Sequence, residues 1–308
     1  MSAPTIDPRD IRASSIAGSW YPAEPRVLEM LLKELLARAE LHSTSDELIA
    51  LISPHAGYLY SGQNAAHAYR QLTEQKFERV IMLGPSHFED FGAFAISAKK
   101  YYWTPFGEVE LDQEFISDLA QKIPVTRVTR DREHSLEIQL PFLQHMLGKF
   151  KIVPIMLSHP FYVVGANALA ECEQLAAALA DILPKRPALI VVSSDLSHLY
   201  DYAAVKNFDT RFAELVAAFD IPALVEYMWK DYECRACGDS AIITGLLTAK
   251  RLGANRTHVL HLTNSGDVTD TRASGQYTVG YLAAAVYKSI NHTETQTAQK
   301  KKLSNLNS

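Results

Sequence analysis

Three short loops in this sequence each carry a histidine just after an apolar, β-rich run. Glu47 to Ile52 leads into Ser53-Pro54-His55-Ala56-Gly57-Tyr58, and Arg79 to Leu83 into Gly84-Pro85-Ser86-His87. Ala188 to Val192 leads into Ser193-Ser194-Asp195-Leu196-Ser197-His198. Ligands of open α/β sheets bind beyond the carboxyl ends of the strands, so this pattern delivers His55, His87 and His198 to one rim. A single loop histidine is usually a hydrogen-bonded surface group. Three of them at independent strand-to-loop junctions, two with the same Pro-flanked pattern, are poorly explained by coincidence. Neutral imidazoles hold divalent cations, and a stable protein site wants at least one ligand more than two histidines supply.

Cys237 is the candidate third ligand. It lies in Cys234-Arg235-Ala236-Cys237-Gly238-Asp239, just before a helix expected from about Asp239, whose N-terminus would favour a thiolate. The Cys-x-x-Cys spacing also admits a zinc knuckle or a redox dithiol. No second pair completes a knuckle, however, and the region lacks the βαβ context of a thioredoxin-like dithiol. The commonest role of any one cysteine, a small buried core residue, stays open. A further polar segment is Glu133-His134-Ser135-Leu136-Glu137-Ile138-Gln139-Leu140-Pro141-Phe142. On a helix, Leu136, Leu140 and Leu143 face the core and leave His134 and Glu137 near its start, so that His134 reaches a substrate while Glu137 orients it. Capping by Ser135 or its neighbours, with Glu137 in the first turn against the helix dipole, explains Glu137 well and His134 poorly.

The elements that must position these groups are legible as periodicity. Besides the three runs above, strands are expected at Ala93 to Ala98, Lys151 to Leu157, His258 to Leu262 and Tyr277 to Val286. Leu28, Leu31, Leu32, Leu35 and Leu36 make one helical face, and Ala168, Leu169, Leu175 and Leu179 another. Further helices are expected at Gln63 to Leu72, Gln113 to Lys122, Ser135 to Met146, Ala204 to Phe219 and Asp239 to Leu252. Strands that alternate with helices, several of them continuous Val, Ile and Leu runs buried on both faces, imply a three-layer αβα sandwich around a mixed, largely buried sheet. No internal repeat is visible, and no linker-like stretch divides the chain before residue 287. The expectation is a flexible N-terminus over 1–10, one α/β domain over 11–288 and a disordered polar tail over 289–308.

Composition narrows the function classes. The 308 residues are 47% hydrophobic and 21% charged, as in ordinary globular proteins. Thirty Lys and Arg against 35 Asp and Glu give a net charge of -5, so no global positive field holds a nucleic-acid backbone. No apolar run reaches the roughly 18 residues needed to cross a bilayer, and Met1 to Ile11 has no apolar core of a signal peptide. Three cysteines, Cys172, Cys234 and Cys237, argue against a disulfide scaffold. The expected setting is the reducing cytoplasm, with no membrane or nucleic-acid partner.

Taken together, P-H-A-G-Y at Pro54 to Tyr58, L-G-P-S-H at Leu83 to His87, E-H-S-L-E-I-Q-L-P-F at Glu133 to Phe142, S-S-D-L-S-H at Ser193 to His198 and A-C-G at Ala236 to Gly238 resemble the Memo family. A-G-S-W-Y at Ala17 to Tyr21 belongs to the same pattern. Prokaryotic members of that family are called AmmeMemoRadiSam system protein B, and the family is similar in fold to class III extradiol ring-cleavage dioxygenases. The resemblance implies one metal ion held by His55, His87 and Cys237, with cysteine where the dioxygenases have glutamate in their two-histidine, one-carboxylate Fe(II) site. It implies an acid/base role for His198 and a substrate contact for His134, and Asp195, three residues before His198 on the same loop, would orient that histidine. It implies either an Fe(II)-dependent oxidoreductase acting on a small molecule or a non-catalytic protein that binds a peptide or handles copper or zinc. Cys234 has no role in the pattern, and Gly238-Asp239-Ser240-Ala241 departs from the G-R-x-P of animal members.

Overall fold

The structure is a computed structural model that describes residues 6–161, 167–230 and 236–290. Its strands are β1 (Ile11–Arg12), β2 (Glu47–Ser53), β3 (Arg79–Pro85), β4 (Phe94–Ser97), β5 (Tyr101–Thr104), β6 (Gly107–Leu111), β7 (Thr126–Val128), β8 (Lys151–Leu157), β9 (Leu189–Ser193), β10 (His198–Leu199), β11 (Arg256–Asn264) and β12 (Thr278–Lys288). Its helices are α1 (Pro25–Ala37), α2 (Tyr58–Arg70), α3 (Gln113–Ala120), α4 (His134–Glu137), α5 (Leu140–Leu147), α6 (Ala168–Ile182), α7 (Tyr202–Ala217), α8 (Ile221–Lys230), α9 (Asp239–Arg251) and α10 (Ser265–Thr269). Cys234, residues 1–5 and residues 291–308 lie outside the described residues.

One mixed sheet organises the chain, with order β1-β5-β6-β8-β3-β9-β2-β12-β10 and with β11 on β12 and β4 on β8. Its centre, β8-β3-β9-β2, is parallel throughout. In β2, residues Leu48 to Ser53 are all buried, as are Val80 to Pro85 of β3 and all of β9, which is why these runs are apolar without alternation. Each such Leu or Ile contributes about 1.5–3 kcal/mol on burial. Helices cover both faces, as the close contacts along β3 show. Leu83 reaches the position of Gly245 in α9, whereas its neighbour Gly84 abuts Leu136 and Ser135 of α4, and successive strand residues point to opposite faces. The layered α/β class expected from the sequence is the one observed.

Two departures have local causes. The helix expected over Ser135 to Met146 is two helices, α4 and α5, separated at Ile138 and Gln139. Pro141 has no N–H for the ladder, and its ring would meet the carbonyl of Glu137 in a continuous helix. The hairpin of β5 and β6 was not expected either. It turns through Gly107 at φ +102°, a conformation that favours glycine.

Candidate metal centre

Strand register brings the loops to one level. Ile52 pairs with Val192 and Ser53 with Ser193, while Leu83 pairs with Val192 from the other side. The chain therefore leaves β2, β3 and β9 at the same edge, and α9 begins close by. Gly238 lies so tightly against β9 that a Cβ there would stand 2.6 Å from the carbonyl of Ser193. Its lack of a side chain lets Cys237 approach the rim. Single ligand atoms of His55, His87 and Cys237 lie within 4.8 Å of one another, a grouping able to hold a metal ion.

The protonation state of His55 follows from its partners. Ser193 Oγ donates its one hydrogen to the carbonyl of Ser135 at 2.6 Å and accepts from Gln139 Nε2 at 2.9 Å. It therefore accepts, and does not donate, in its 2.9 Å bond to His55 Nδ1. Nδ1 carries the proton and Nε2 presents a lone pair toward Cys237 Sγ, 3.0 Å away. Burial holds this imidazole well below its ordinary pKa, and the rings of His87, His134 and His198 push the same way, so the ring is neutral as a ligand must be. Burial, reinforced by Asp195, pushes the Cys237 thiol well above its ordinary value. Loss of water in the metal-free protein thus opposes the thiolate that the start of α9 was expected to favour. In the metal-free protein the thiol hydrogen serves the Nε2 lone pair, and a cation would replace it.

His87 is oriented by Glu133. Its Nδ1 lies 2.9 Å from Glu133 Oε1, and its backbone N–H donates to Oε2 at 2.7 Å. A carboxylate fixing the far nitrogen of a histidine is a recurrent feature of metal sites. Burial opposes ionisation of Glu133, but the hydrogen bonds and charges of His87 and His134 outweigh it and hold the carboxyl at about 2. The same carboxylate caps α4 through the N–H of Ser135, so the cap is Glu133. His134 stacks on His87 with ring centroids 4.5 Å apart and meets Trp20 at 4.5 Å. Burial lowers its pKa to about 4.

Glu137 does not orient His134. It is fully buried and receives Arg12 Nη1 at 2.5 Å, the N–H of Ser15 at 2.8 Å and the hydroxyls of Ser14 and Tyr21. Arg12 also donates to the Glu133 carbonyl at 2.6 Å and pairs with Asp131. This ionic cluster ties residues 12–21 to α4. The group beside His134 is instead Glu133, at 3.4 Å.

The S-S-D-L-S-H loop divides its labour. Asp195 Oδ1 accepts the N–H groups of His55 at 2.7 Å and Ala56 at 3.2 Å, so this carboxylate shapes the loop of the first histidine. Burial pushes its carboxyl up to about 7. Nδ1 of His198 meets the Leu196 carbonyl at 2.7 Å, whereas Asp195 turns to the loop of His55. Because a carbonyl only accepts, Nδ1 donates. Glu133, Ser193, Gln139 and Arg12 had no assigned part in the sequence reading. Glu133 and Gln139 lay within the E-H-S-L-E-I-Q-L-P-F segment and Ser193 within S-S-D-L-S-H, while Arg12 lay in no motif. Cys172 is a buried core thiol whose burial pushes it up to about 12.

A cavity of about 160 Å³ opens against His87 and Cys237, lined also by Ser86, Ser158, Pro160 and Asp239. Fold and site together define an α/β protein whose central parallel strands present two histidines at their carboxyl edge, where the turn before α9 adds a cysteine. The family profile described as Memo-like protein matches residues 12–286, and the chain belongs to the Memo family. It is similar to the MEMO1 family protein of Methanopyrus kandleri, 31% identical over 88% of this chain and 97% of the relative. It is likewise similar to those of Methanosarcina barkeri, at 32% over 90% and 100%, and Methanocaldococcus jannaschii, at 31% over 90% and 99%. No helix among the described residues is long and apolar enough to cross a membrane.

Proposed function

We propose that this protein is a non-heme Fe(II)-dependent oxidoreductase acting on a small molecule, with His55, His87 and Cys237 as the iron ligands. The observation that carries this reading is the company the three donors keep. His134 stacks directly on His87, and His198 is close enough to lower the pKa of His55. A storage site needs ligands, whereas additional imidazoles around them suit proton transfer. Bound Fe(II) would supply open coordination positions and redox chemistry with O₂. The chain's own residues do the rest. His198, fixed through Nδ1, takes a proton from the substrate at Nε2. His134, kept neutral by burial, offers a hydrogen bond to the substrate. Glu133 and Asp195 hold the two histidine loops, and the reducing cytoplasm keeps Cys237 a ligand rather than an oxidation product.

The sulfur donor favours a second reading. Thiolate also suits Cu(I) and Zn(II), so copper or zinc handling is the competing function. Exposed Trp20, Phe88 and Tyr277 give a peptide-binding adaptor its apolar contacts. Anaerobic purification, metal analysis and O₂ consumption by the Fe(II)-loaded protein against a panel of catechol-like and other chelating molecules decide between them. Substrate-stimulated uptake that His198→Ala abolishes supports the oxidoreductase. Substrate-independent uptake ending in oxidised Cys237, equal in His198→Ala, overturns it.

A further inference from the structure

α7 sends one carboxylate, Asp209, into the core beneath the loop that carries His198. Asp209 is 2% exposed. Its Oδ1 accepts the backbone N–H of Ser197 at 3.2 Å. Its Oδ2 and the Ser197 hydroxyl are both buried without a well-aligned hydrogen-bond partner, and the hydroxyl favours the ionised carboxyl. Space for the carboxylate exists because residue 280 is glycine, where a Cβ would stand 1.5 Å from Oδ2. Gly280 grips the same loop with its backbone: its carbonyl accepts the N–H of Leu196 at 2.8 Å, and its N–H donates to the Ser197 carbonyl at 2.9 Å.

The Ser197 N–H and the Leu196 carbonyl belong to one peptide group, which is planar and rigid. Asp209 therefore binds one edge of the peptide whose opposite edge accepts Nδ1–H of His198 at 2.7 Å. We propose that Asp209 is a positioning residue for His198, acting through the Leu196–Ser197 peptide to fix the ring's orientation and its Nδ1–H tautomer. This rests on the reading of His198 as the acid/base group. A carboxyl at this place is costly to bury, since burial pushes it up to about 7, and a side chain serving only to fill space would be apolar. Without the anchor Gly280 still holds the two flanking peptide groups, but nothing holds the N–H edge of the Leu196–Ser197 peptide itself, and its rotation redirects the imidazole.

The test is NMR of the full-length protein with ¹⁵N-labelled histidine, together with amide hydrogen exchange and metal analysis. In the wild type, the His198 ring should show the shifts of an Nδ1–H tautomer, and the Ser197 amide should be strongly protected. A Ser197 amide exchanging like an exposed loop amide overturns the proposal without any variant. In Asp209→Ala the Ser197 amide should exchange on the order of tenfold faster and the His198 shifts should move toward a tautomer mixture, with metal content unchanged. Asp209→Asn, which keeps an acceptor, should restore both. Gly280→Ala, which displaces the carboxylate from the other side, should mimic Asp209→Ala. Wild-type His198 shifts in Asp209→Ala or Gly280→Ala, or loss of metal in step with loss of the tautomer, overturn the assignment. Absence of metal from the wild-type protein would sink the oxidoreductase reading while leaving the peptide linkage to stand or fall on its own spectra.

Discussion

The sulfur of Cys237 lies 3.0 Å from Nε2 of His55, although 182 positions separate the two residues in the chain. Neither belongs to a strand or helix. Each sits in the short loop beside one, so their meeting is a property of the sheet edge and of the glycine that lets α9 start against β9.

If these two atoms and His87 are the ligands, His55→Ala, His87→Ala and Cys237→Ala should each lose most bound iron, while His198→Ala and Cys234→Ala keep it. Equilibrium dialysis followed by metal analysis checks this. Full occupancy in the Cys237 variant removes cysteine from the site, and loss in His198→Ala makes His198 a ligand instead of a base.

Glu133 touches no candidate ligand atom directed at the ion, yet it should matter. Glu133→Gln leaves His87 in place but weakens the acceptor behind its Nδ1, so metal affinity should fall roughly 10–100-fold. Competition with a chelator measures it. Affinity equal to wild type would mean that the His87 bond to Glu133 is ornamental.

The metal-free protein should be acid-sensitive through His134. Its pKa is about 4 in the fold against an unfolded value near 6.5, so the unfolded state binds the extra proton. Stability is therefore lost as pH falls from 6.5 toward 4, by at most about 3 kcal/mol. His134→Phe keeps an aromatic ring on His87 and removes the titration, so its unfolding free energy should vary less over that window. Parallel curves for the two proteins in denaturant titrations at pH 7 and pH 4.5 would exclude the effect.

Arg12 is buried among Asp131, Glu137 and the ring of Tyr102. Arg12→Ala leaves two carboxylates unpaired in the core and should cost about 3–5 kcal/mol. Exposed Arg9→Ala should cost within about 0.5 kcal/mol. Thermal melts of the two variants give the comparison, and similar melting temperatures would show the cluster to be energetically neutral.

Much of this was readable from residue types alone. Continuous Val, Ile and Leu runs marked β2, β3, β8 and β9 because a strand covered on both faces has no polar side to show. Histidines at the ends of β2 and β3 pointed to the rim because open α/β sheets bind ligands beyond the carboxyl ends of their strands. The second layer of the site was hidden. That Glu133, not Glu137, stands beside His134 depends on where the helix begins, and Pro141, four residues beyond Glu137, ends α4 there. Ser193 reads as the first residue of a loop, and its effect on the His55 tautomer exists only once Ser135 and Gln139 reach it from another element. Asp195 looked like a partner for His198 because three residues separate them, but backbone N–H groups of a different loop claim it.

The anchoring of residues 12–21 also sets an order of events during folding. These residues leave the ribosome before the segment 131–137 on which Arg12, Ser14 and Tyr21 dock, so the docking must wait for more than a hundred intervening residues. Contacts of such long sequence separation form slowly because loop closure precedes any gain from them. Glu133 acquires its Arg12 support only at that step, and Cys237 emerges later still, after β2, β3, β8 and β9, so the three donors should assemble only once every strand of the central sheet has been made.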